Sequence, residues 1–312
     1  MSSVLTNAES LSLPVGRFAP SPTGELHLGN LRTALASWLS VKARGGRWLI
    51  RIEDVDLARC KPVWAETQVR DLAALGLESD AAIVWQAQRS EWYRAALDHL
   101  ARQGSLYRCR CSRKDLQLLA SAPHGDERLR PYPGRCRADK VACFLPDALR
   151  VALPAGVVAW EDRLCGAQAD DPATLTGDPV LHRRDGCFAY HLAVVVDDGE
   201  QGVTEIVRGG DLREVTATHF RLQELLGYQH PQYAHLGLVT GPDHARLGKR
   251  AGAASLSALR ERGVTPEELL GWLGWSLGCL ERPEACRATD LLAHFSWDRV
   301  PAGSVAIPAA WT

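Results

Sequence analysis

The sequence lacks the long hydrophobic runs that a membrane-spanning helix needs, because its apolar stretches are much shorter than a bilayer is thick. Residues 1–13 have neither a basic start nor an apolar core, so we expect no export signal and a cytoplasmic location. An excess of charge is also missing: 36 lysines and arginines nearly balance 37 acidic residues. Any contact with a nucleic acid must therefore come from a local basic patch.

The cysteines do not form the even, regular set that a disulfide framework requires. There are nine of them, irregularly spaced, in a chain with no expected export signal. This usage indicates free thiols and a metal site. With 312 residues and 46% hydrophobic content, the chain is expected to be a soluble globular protein with one large or two small domains.

The most informative segment is Gly16–Arg32, with the sequence GRFAPSPTGELHLGNLR. Its centre, His27–Asn30, follows a loop rich in proline and glycine, and a helical pattern of leucines begins there. The first N–H groups of a helix have no helical partners and can bind phosphate. Gly29 allows a nucleotide close to the backbone, and His27 can donate to a phosphate oxygen.

This segment resembles the first ATP-binding motif of the class I aminoacyl-tRNA synthetases, in the glutamyl-tRNA synthetase form. The resemblance implies an α/β Rossmann-type catalytic domain with a zinc-bearing insertion and a short C-terminal helical region. It implies that His27, Gly29 and Asn30 bind ATP, and that His27 and Asn30 take part in catalysis.

Composition and periodicity divide the chain into four regions. Cysteine, arginine, proline and glycine rise between residues 106 and 187, where helical periodicity is lost. The regions are the first half of the nucleotide-binding domain (15–105), an insertion (106–187), the second half (188–250) and a C-terminal helical region (251–312). The pattern predicts helices at Trp64–Leu75, Glu91–Arg102 and Thr216–Leu226, and strands at Trp48–Ile52, Phe188–Val196 and Val203–Val207.

Two groups of residues match an amino-acid pocket. A guanidinium holds a carboxylate bidentately and a carboxylate holds an ammonium, so Arg17 and Glu53 suit a glutamate substrate. In the glutamyl synthetase pattern, Tyr190 and Arg208, from the segments AYHLAVVVDD and VTEIVRGGDL, complete this pocket. The resemblance also places in it the loop residues Phe18, Ala19, Pro20 and Ser21.

A second ATP motif is expected at Arg246–Arg250. Lys249 matches the family lysine that neutralises the pyrophosphate charge and is predicted to be catalytic and ATP-binding. The sequence departs from the family pattern at Arg246, where a lysine is usual, at Gly248, where a serine is usual, and at His244, where a glycine is usual. We expect these departures to affect the rate more than the reaction. If pyrophosphate exchange survives Lys249→Ala, Arg250 is the expected stand-in for Lys249.

A metal site is predicted within the insertion. Three thiolates, those of Cys109, Cys111 and Cys136, could hold zinc with one further ligand. A Cys-x-Cys, Tyr, Cys pattern at this place resembles the short glutamyl synthetase paralogues, which implies Tyr132 as the fourth ligand and one structural Zn²⁺. His124 is the alternative ligand, and Cys143 is a further candidate.

The sequence ends soon after the second motif, without the helical region that reads the anticodon in full glutamyl-tRNA synthetases. This length resembles the glutamyl-queuosine tRNA(Asp) synthetases, a family that activates glutamate with ATP, without needing tRNA, and attaches it to queuosine in tRNA(Asp). The implied partners are glutamate, ATP with Mg²⁺ and tRNA(Asp) bearing queuosine, with a monomeric enzyme and no membrane. The basic segment Arg128–Lys140 can meet RNA. Two alternatives stay open: a minimal glutamyl-tRNA synthetase that charges the 3′ end of tRNA(Glu), and an inactive RNA-binding module.

Overall fold

The fold is an α/β arrangement built on one large sheet, as the sequence predicts. The computed structural model describes residues 13–112, 115, 131–241 and 255–311. The strands are β1 (Val15–Phe18), β2 (Arg47–Ile52), β3 (Val84–Trp85), β4 (Leu106–Arg108), β5 (Leu149–Val151), β6 (Val158–Asp162), β7 (Gly166–Asp170), β8 (Val180–His182), β9 (Glu205–Gly209), β10 (Gln232–Leu236), β11 (Val239–Thr240) and β12 (Val305–Ala306). The α-helices are α1 (Leu28–Lys42), α2 (Pro62–Ala74), α3 (Ser90–Arg102), α4 (Pro172–Leu175), α5 (Tyr190–Glu200), α6 (Thr216–Leu226), α7 (Leu256–Glu261) and α8 (Pro266–Ser276).

The main sheet has seven strands in the order β3-β2-β1-β9-β10-β6-β7. All neighbours are parallel except β6 and β7, which form an antiparallel hairpin at one edge. Helix α1 connects β1 to β2 and buries its leucines against them, which is the predicted βαβ unit. The carboxyl ends of β1, β2 and β9 therefore open at the same edge of the sheet, next to the start of α1.

The β6–β7 hairpin lies inside the region 106–187 yet extends the main sheet, because Tyr233 of β10 pairs with Asp162 of β6. The other strands that the structure describes in that region form a separate antiparallel sheet, β4-β5-β8. The chain thus returns to the main sheet once before β9. The boundaries of the insertion at 106 and 187 stay a prediction.

The predicted strand at Phe188–Val196 is wrong, because the chain forms helix α5 there. Leu192, Ala193 and the three valines after them are all buried, so this helix has no polar stripe along which a 3.6-residue period could be seen. Consecutive valines also favour a strand in isolation. Packing of α5 between α3 and α6 overrides that preference.

Other predicted elements are confirmed with small shifts. Helix α6 spans the predicted residues and ends at Gly227, which has the left-handed φ of 74° that favours glycine. The predicted strand at Val203–Val207 begins two residues later, as β9. The C-terminal helices pack on α1, and β12 pairs with β11. None of the helices in the described part of the chain is long and apolar enough to span a bilayer.

A buried ionic cluster joins α5 to the first two strands. Arg51 of β2 is fully buried, and its Nη1 lies 2.8 Å from Asp198 Oδ1. The same carboxylate oxygen accepts from Arg17 Nε of β1 at 3.1 Å. The adjacent Asp197 accepts from Arg89 at 2.5 Å and from the Tyr93 hydroxyl at 2.8 Å. Because the two aspartates are neighbours on one helix, these ion pairs fix α5 against the sheet.

Replacing Arg51 with methionine should lower the free energy of unfolding by about 3–5 kcal/mol, because Asp197 and Asp198 lose a buried partner. Urea denaturation followed by circular dichroism measures this loss. The matched control is Arg47→Met, which changes an exposed arginine of the same strand and should shift stability by less than about 0.5 kcal/mol. Equal effects of the two substitutions would show that the ionic cluster does not stabilise the fold.

Candidate active site

The segment predicted to be the first ATP motif forms the start of helix α1. His27 is the N-cap residue, and its Nδ1 accepts from the backbone N–H of Asn30 at 3.3 Å. In return, the Asn30 side-chain oxygen accepts from the backbone N–H of His27 at 3.2 Å. This reciprocal pair is a capping box in which histidine takes the place of serine or threonine.

The capping contact determines which nitrogen of His27 carries the proton. Because Nδ1 is an acceptor, the proton of the neutral ring lies on Nε2, which can donate to a ligand. Burial lowers the pKa of His27, although the Asp211 carboxylate opposes this. Gly29 leaves room for the ring, since a Cβ at that position would lie 2.9 Å from His27 Cε1.

A cavity of about 630 Å³ opens beside this helix start. It lies where the carboxyl ends of β1, β2 and β9 meet the N-terminus of α1, the usual place for a nucleotide in such sheets. Its wall contains every described residue predicted to bind ATP or glutamate: Arg17, Phe18, Ala19, Pro20, Ser21, His27, Gly29, Asn30, Glu53, Tyr190 and Arg208. Lys249 and the predicted Arg246–Arg250 motif, with His244, lie outside the described residues.

Arg17, Arg208 and Glu53 line the same cavity, whose wall also contains Glu25 and Asp211. Burial raises the pKa of Glu53, and the Arg51 and Arg17 guanidinium groups work against that rise. Burial also raises the pKa of Tyr190, so its hydroxyl is a neutral hydrogen-bonding group. The arrangement offers two cations for carboxylates and an acid for an ammonium.

Sequence reasoning missed the residues that surround Arg208. Its Nε donates to His235 Nε2 at 3.0 Å and its Nη1 to His219 Nδ1 at 3.2 Å. His235 Nδ1 lies 2.5 Å from Asp162 Oδ2, and His219 Nε2 lies 3.2 Å from His191 Nδ1. These residues come from β6, α5, α6 and β10, so no local motif indicates the cluster. Asp198, the partner of Arg17, was missed for the same reason.

The predicted metal ligands also come together. The Sγ atoms of Cys109, Cys111 and Cys136 all lie within 4.8 Å of one another, and that of Cys111 is 3.8 Å from that of Cys136. A tetrahedral zinc with Zn–S bonds of ~2.3 Å places its sulfurs ~3.8 Å apart. The Tyr132 hydroxyl lies 3.5 Å from the Cys111 sulfur and 3.7 Å from the Cys109 sulfur. All four groups thus lie close enough together to reach one ion.

An arginine lies beside the cysteine cluster, whereas burial raises the pKa of Cys111 and of Tyr132. Arg150 Nε donates to Cys109 Sγ at 3.3 Å, and its guanidinium stacks 3.9 Å from the centre of the Tyr132 ring. Burial acts against ionisation of Cys136, but hydrogen bonds from Tyr132 and the Arg110 backbone lower its pKa overall. His124 lies outside the described residues, and Cys143 is exposed and not part of the group.

Tyr132 is held in place by the chain beside it. Gly177 bridges to Tyr132 and has a φ of +64°, and a Cβ there would lie 2.3 Å from the Tyr132 nitrogen. Only glycine therefore allows this close approach. The Tyr132 hydroxyl also accepts from the Cys136 backbone N–H at 3.1 Å, which turns its oxygen toward the sulfurs.

The histidine cluster should make the protein less stable in mild acid. Burial lowers the pKa of His219 and His235, and lowers that of His191 to about 4. Below pH 6.5 the unfolded chain binds protons that the folded chain does not, so the free energy of unfolding falls as pH drops. Each such histidine adds up to about 1.4 kcal/mol per pH unit to this slope.

Denaturation between pH 6.5 and about 5, above the pKa of ordinary exposed carboxylates, measures the slope. His191→Gln should flatten it, whereas the control His294→Gln changes an exposed histidine and should not. A slope that is the same in all three proteins would contradict the expectation.

Comparison with known proteins agrees with this geometry. The sequence model described as tRNA synthetases class I (E and Q), catalytic domain, matches residues 15–306. A protein named Glutamyl-Q tRNA(Asp) synthetase from Symbiobacterium thermophilum is 44% identical, over 94% of this chain and 96% of that protein. One of the same name from Nocardia farcinica is 44% identical, over 92% of this chain and 90% of that protein.

A solved structure has the same fold. The structure of glutamate-tRNA synthetase from Elizabethkingia anophelis superposes with a TM-score of 0.81 at 25% identity, over 96% of this chain and 69% of that one. The first motif lies at the start of α1, and the cavity lies at the carboxyl edge of the parallel sheet. The relatives also match nearly the whole length of the chain. The chain belongs to the class I tRNA synthetase (E and Q) catalytic-domain family.

Proposed function

We propose that this protein activates glutamate with ATP and transfers it to queuosine in the anticodon of tRNA(Asp). The observation that carries the activation step is the cavity in which Arg17, Arg208 and Glu53 meet next to the phosphate-facing end of α1. A substrate with two carboxylates and one ammonium matches these charges group for group.

The chemistry of the first step follows from the positions of these groups. One carboxylate of the bound glutamate attacks the α-phosphorus of ATP, and pyrophosphate leaves with its bonding electrons. The Nε2–H of His27 and the first backbone N–H groups of α1 donate to phosphate oxygens and stabilise the added charge. Lys249 is proposed to bind the leaving pyrophosphate, with Mg²⁺ accompanying ATP.

In the second step, a hydroxyl of the queuosine diol attacks the activated carbonyl carbon. AMP leaves, and the hydroxyl proton is lost to solvent or to the leaving phosphate. The support for this destination is that relatives covering over nine-tenths of the chain carry the name Glutamyl-Q tRNA(Asp) synthetase. The structural likeness to glutamate-tRNA synthetase supports the second candidate, in which the 3′ end of tRNA(Glu) receives the glutamate.

Mapping the position of radioactive glutamate tests the destination. The protein is incubated with labelled glutamate, ATP and total tRNA, and the tRNA is then cut with nuclease. We expect label on the anticodon fragment of tRNA(Asp), and none when the tRNA comes from cells that lack queuosine. Label on the 3′-terminal adenosine of tRNA(Glu) would replace the proposal with the second candidate.

Two further measurements complete this test. Glutamate-dependent ATP–pyrophosphate exchange should proceed without tRNA, and its absence would indicate an inactive RNA-binding module. Arg208→Ala should reduce the kcat/KM for glutamate by on the order of a hundredfold, because a buried charge pair to the substrate is lost. An unchanged kcat/KM in this variant would mean that Arg208 does not bind a carboxylate of the substrate.

We also propose that Cys109, Cys111, Cys136 and Tyr132 bind one structural Zn²⁺. The match of the sulfur and oxygen spacings to a tetrahedron supports this, as does the nearby Arg150, whose charge offsets part of the negative charge of the ligands. The ion would hold together the part of the chain around Tyr107 and Tyr132, where the local apolar cluster is small.

Metal analysis of the purified protein should give about one zinc per chain. Cys111→Ser should lose this zinc and lower the melting temperature, because metal binding contributes to folding. The control Cys165→Ser changes an exposed cysteine outside the cluster, and it should leave the zinc content and the melting temperature unchanged. Tyr132→Phe tests the fourth ligand: faster removal of zinc by a chelator is expected, and an unchanged rate would assign the position to another residue such as His124.

A further inference from the structure

Arg208 is a buried arginine whose hydrogen bonds all go to neutral groups. Its acceptors are His235 Nε2 at 3.0 Å, His219 Nδ1 at 3.2 Å, the Leu212 carbonyl at 3.1 Å and Thr216 Oγ1 at 2.8 Å. The fully buried Tyr233 ring lies 5.1 Å from its guanidinium carbon. Within the described ranges, Arg208 forms no ion pair with a carboxylate.

Arg17, the other arginine of the cavity, does have a carboxylate partner. Arg17 donates from its Nε to Asp198 Oδ1 at 3.1 Å, so a built-in carboxylate balances its charge. Burial of an unbalanced charge is costly, and a carboxylate of the ligand can relieve that cost only at Arg208. The two cations of the cavity therefore differ in how strongly they require an anion.

The proton positions in this cluster follow from the hydrogen bonds. Because His235 Nε2 accepts from Arg208, the ring proton lies on Nδ1 and is donated to Asp162 Oδ2. Asp162 is itself fixed, since its Oδ1 accepts from the backbone N–H groups of Leu164 and Cys165 at 3.0 and 2.9 Å. The edge hairpin β6–β7 thus sets the tautomer of a histidine on β10.

The second histidine is set in a similar way. His219 Nδ1 accepts from Arg208, so the proton of its ring lies on Nε2 and is donated to His191 Nδ1. Neither His219 nor His235 can be protonated without losing its contact to the guanidinium. Both rings consequently act as neutral acceptors that orient Arg208 and leave its charge unneutralised.

We propose that Asp162, His235 and His219 are positioning residues that hold Arg208 as an uncompensated cation and thereby make a carboxylate on the substrate obligatory. This inference rests on the proposed function and assigns to Arg208 the side-chain carboxylate of glutamate, because glutamine also carries the α-carboxylate. It assigns the discrimination between glutamate and its uncharged analogue glutamine to a network outside the substrate pocket. Asp162 acts through His235, and His235 acts through Arg208.

Asp162→Asn is the sharpest test, because it should reverse the tautomer of His235 with little change in shape. The side-chain oxygen of the asparagine continues to accept from the backbone N–H groups of Leu164 and Cys165. The side-chain NH₂ group therefore faces His235 Nδ1 and donates to it. The ring proton then moves to Nε2 and faces the N–H of Arg208. A substitution that imposes the wrong tautomer has large effects in other enzymes.

The readout is ATP–pyrophosphate exchange with glutamate or glutamine. In Asp162→Asn, the KM for glutamate should rise on the order of tenfold to a hundredfold, because a hydrogen bond to a charged group is lost. The preference for glutamate over glutamine should fall by a similar factor, and the KM for ATP should stay within about twofold. Nitrogen NMR of labelled histidine should show the His235 proton on Nε2.

A control and a second pair of variants separate positioning from stability. Asp80→Asn removes a carboxylate that accepts from the Trp48 backbone N–H of the same sheet at 2.6 Å, and it should leave every KM unchanged. His235→Gln can still accept from Arg208 and donate to Asp162, so it should keep more glutamate preference than His235→Leu. This pair decides the question if Asp162→Asn fails to fold.

Two results would overturn the inference. One is an unchanged glutamate KM in an Asp162→Asn protein whose NMR spectrum shows the reversed tautomer. The other is an equal rise in the KM values for glutamate and ATP, which would indicate a general loss of structure. Absence of glutamate-dependent exchange in the unchanged protein would instead defeat the proposed function, so the two failures are distinguishable.

Discussion

The structure depends on the burial of two adjacent carboxylates, Asp197 and Asp198, at the end of helix α5. They hold arginines from β1, β2 and the start of α3, so one turn of helix fixes the position of two central strands. The first residue of the same helix is Tyr190, which lines the candidate active site. Any shift of α5 would move the ionic cluster and the cavity wall together.

Much of the candidate site could be predicted because it is encoded locally. Residues 17–30 contain a loop, a cap and the first turn of a helix in one continuous segment, and the structure forms all three there. The cysteine cluster was also predictable, since thiols in a short irregular segment have few roles other than binding metal. The spacing of the sulfurs in the structure agrees with that interpretation.

The parts that escaped prediction are held by long-range contacts. Asp162 and His235 are far apart in sequence and meet only because β6 pairs with β10. The valines of α5 led to the prediction of a strand. A helix that is buried on all sides has no polar face, so its 3.6-residue period is not visible in the sequence. In both cases the structure depends on which elements pack against each other. A single sequence gives only indirect information about that packing.

The order of strands in the main sheet has a consequence for synthesis of the chain. β1 is made first yet lies next to β9, and the β6–β7 hairpin reaches the sheet only through β10. As the chain leaves the ribosome, one edge of β1 therefore stays unpaired until residues 205–209 have emerged. Such late closure is typical of slow-folding topologies and exposes apolar strand edges to other nascent chains. The segment with Cys109, Cys111 and Cys136 is completed during that interval, and the proposed zinc ion would order it before the main sheet closes.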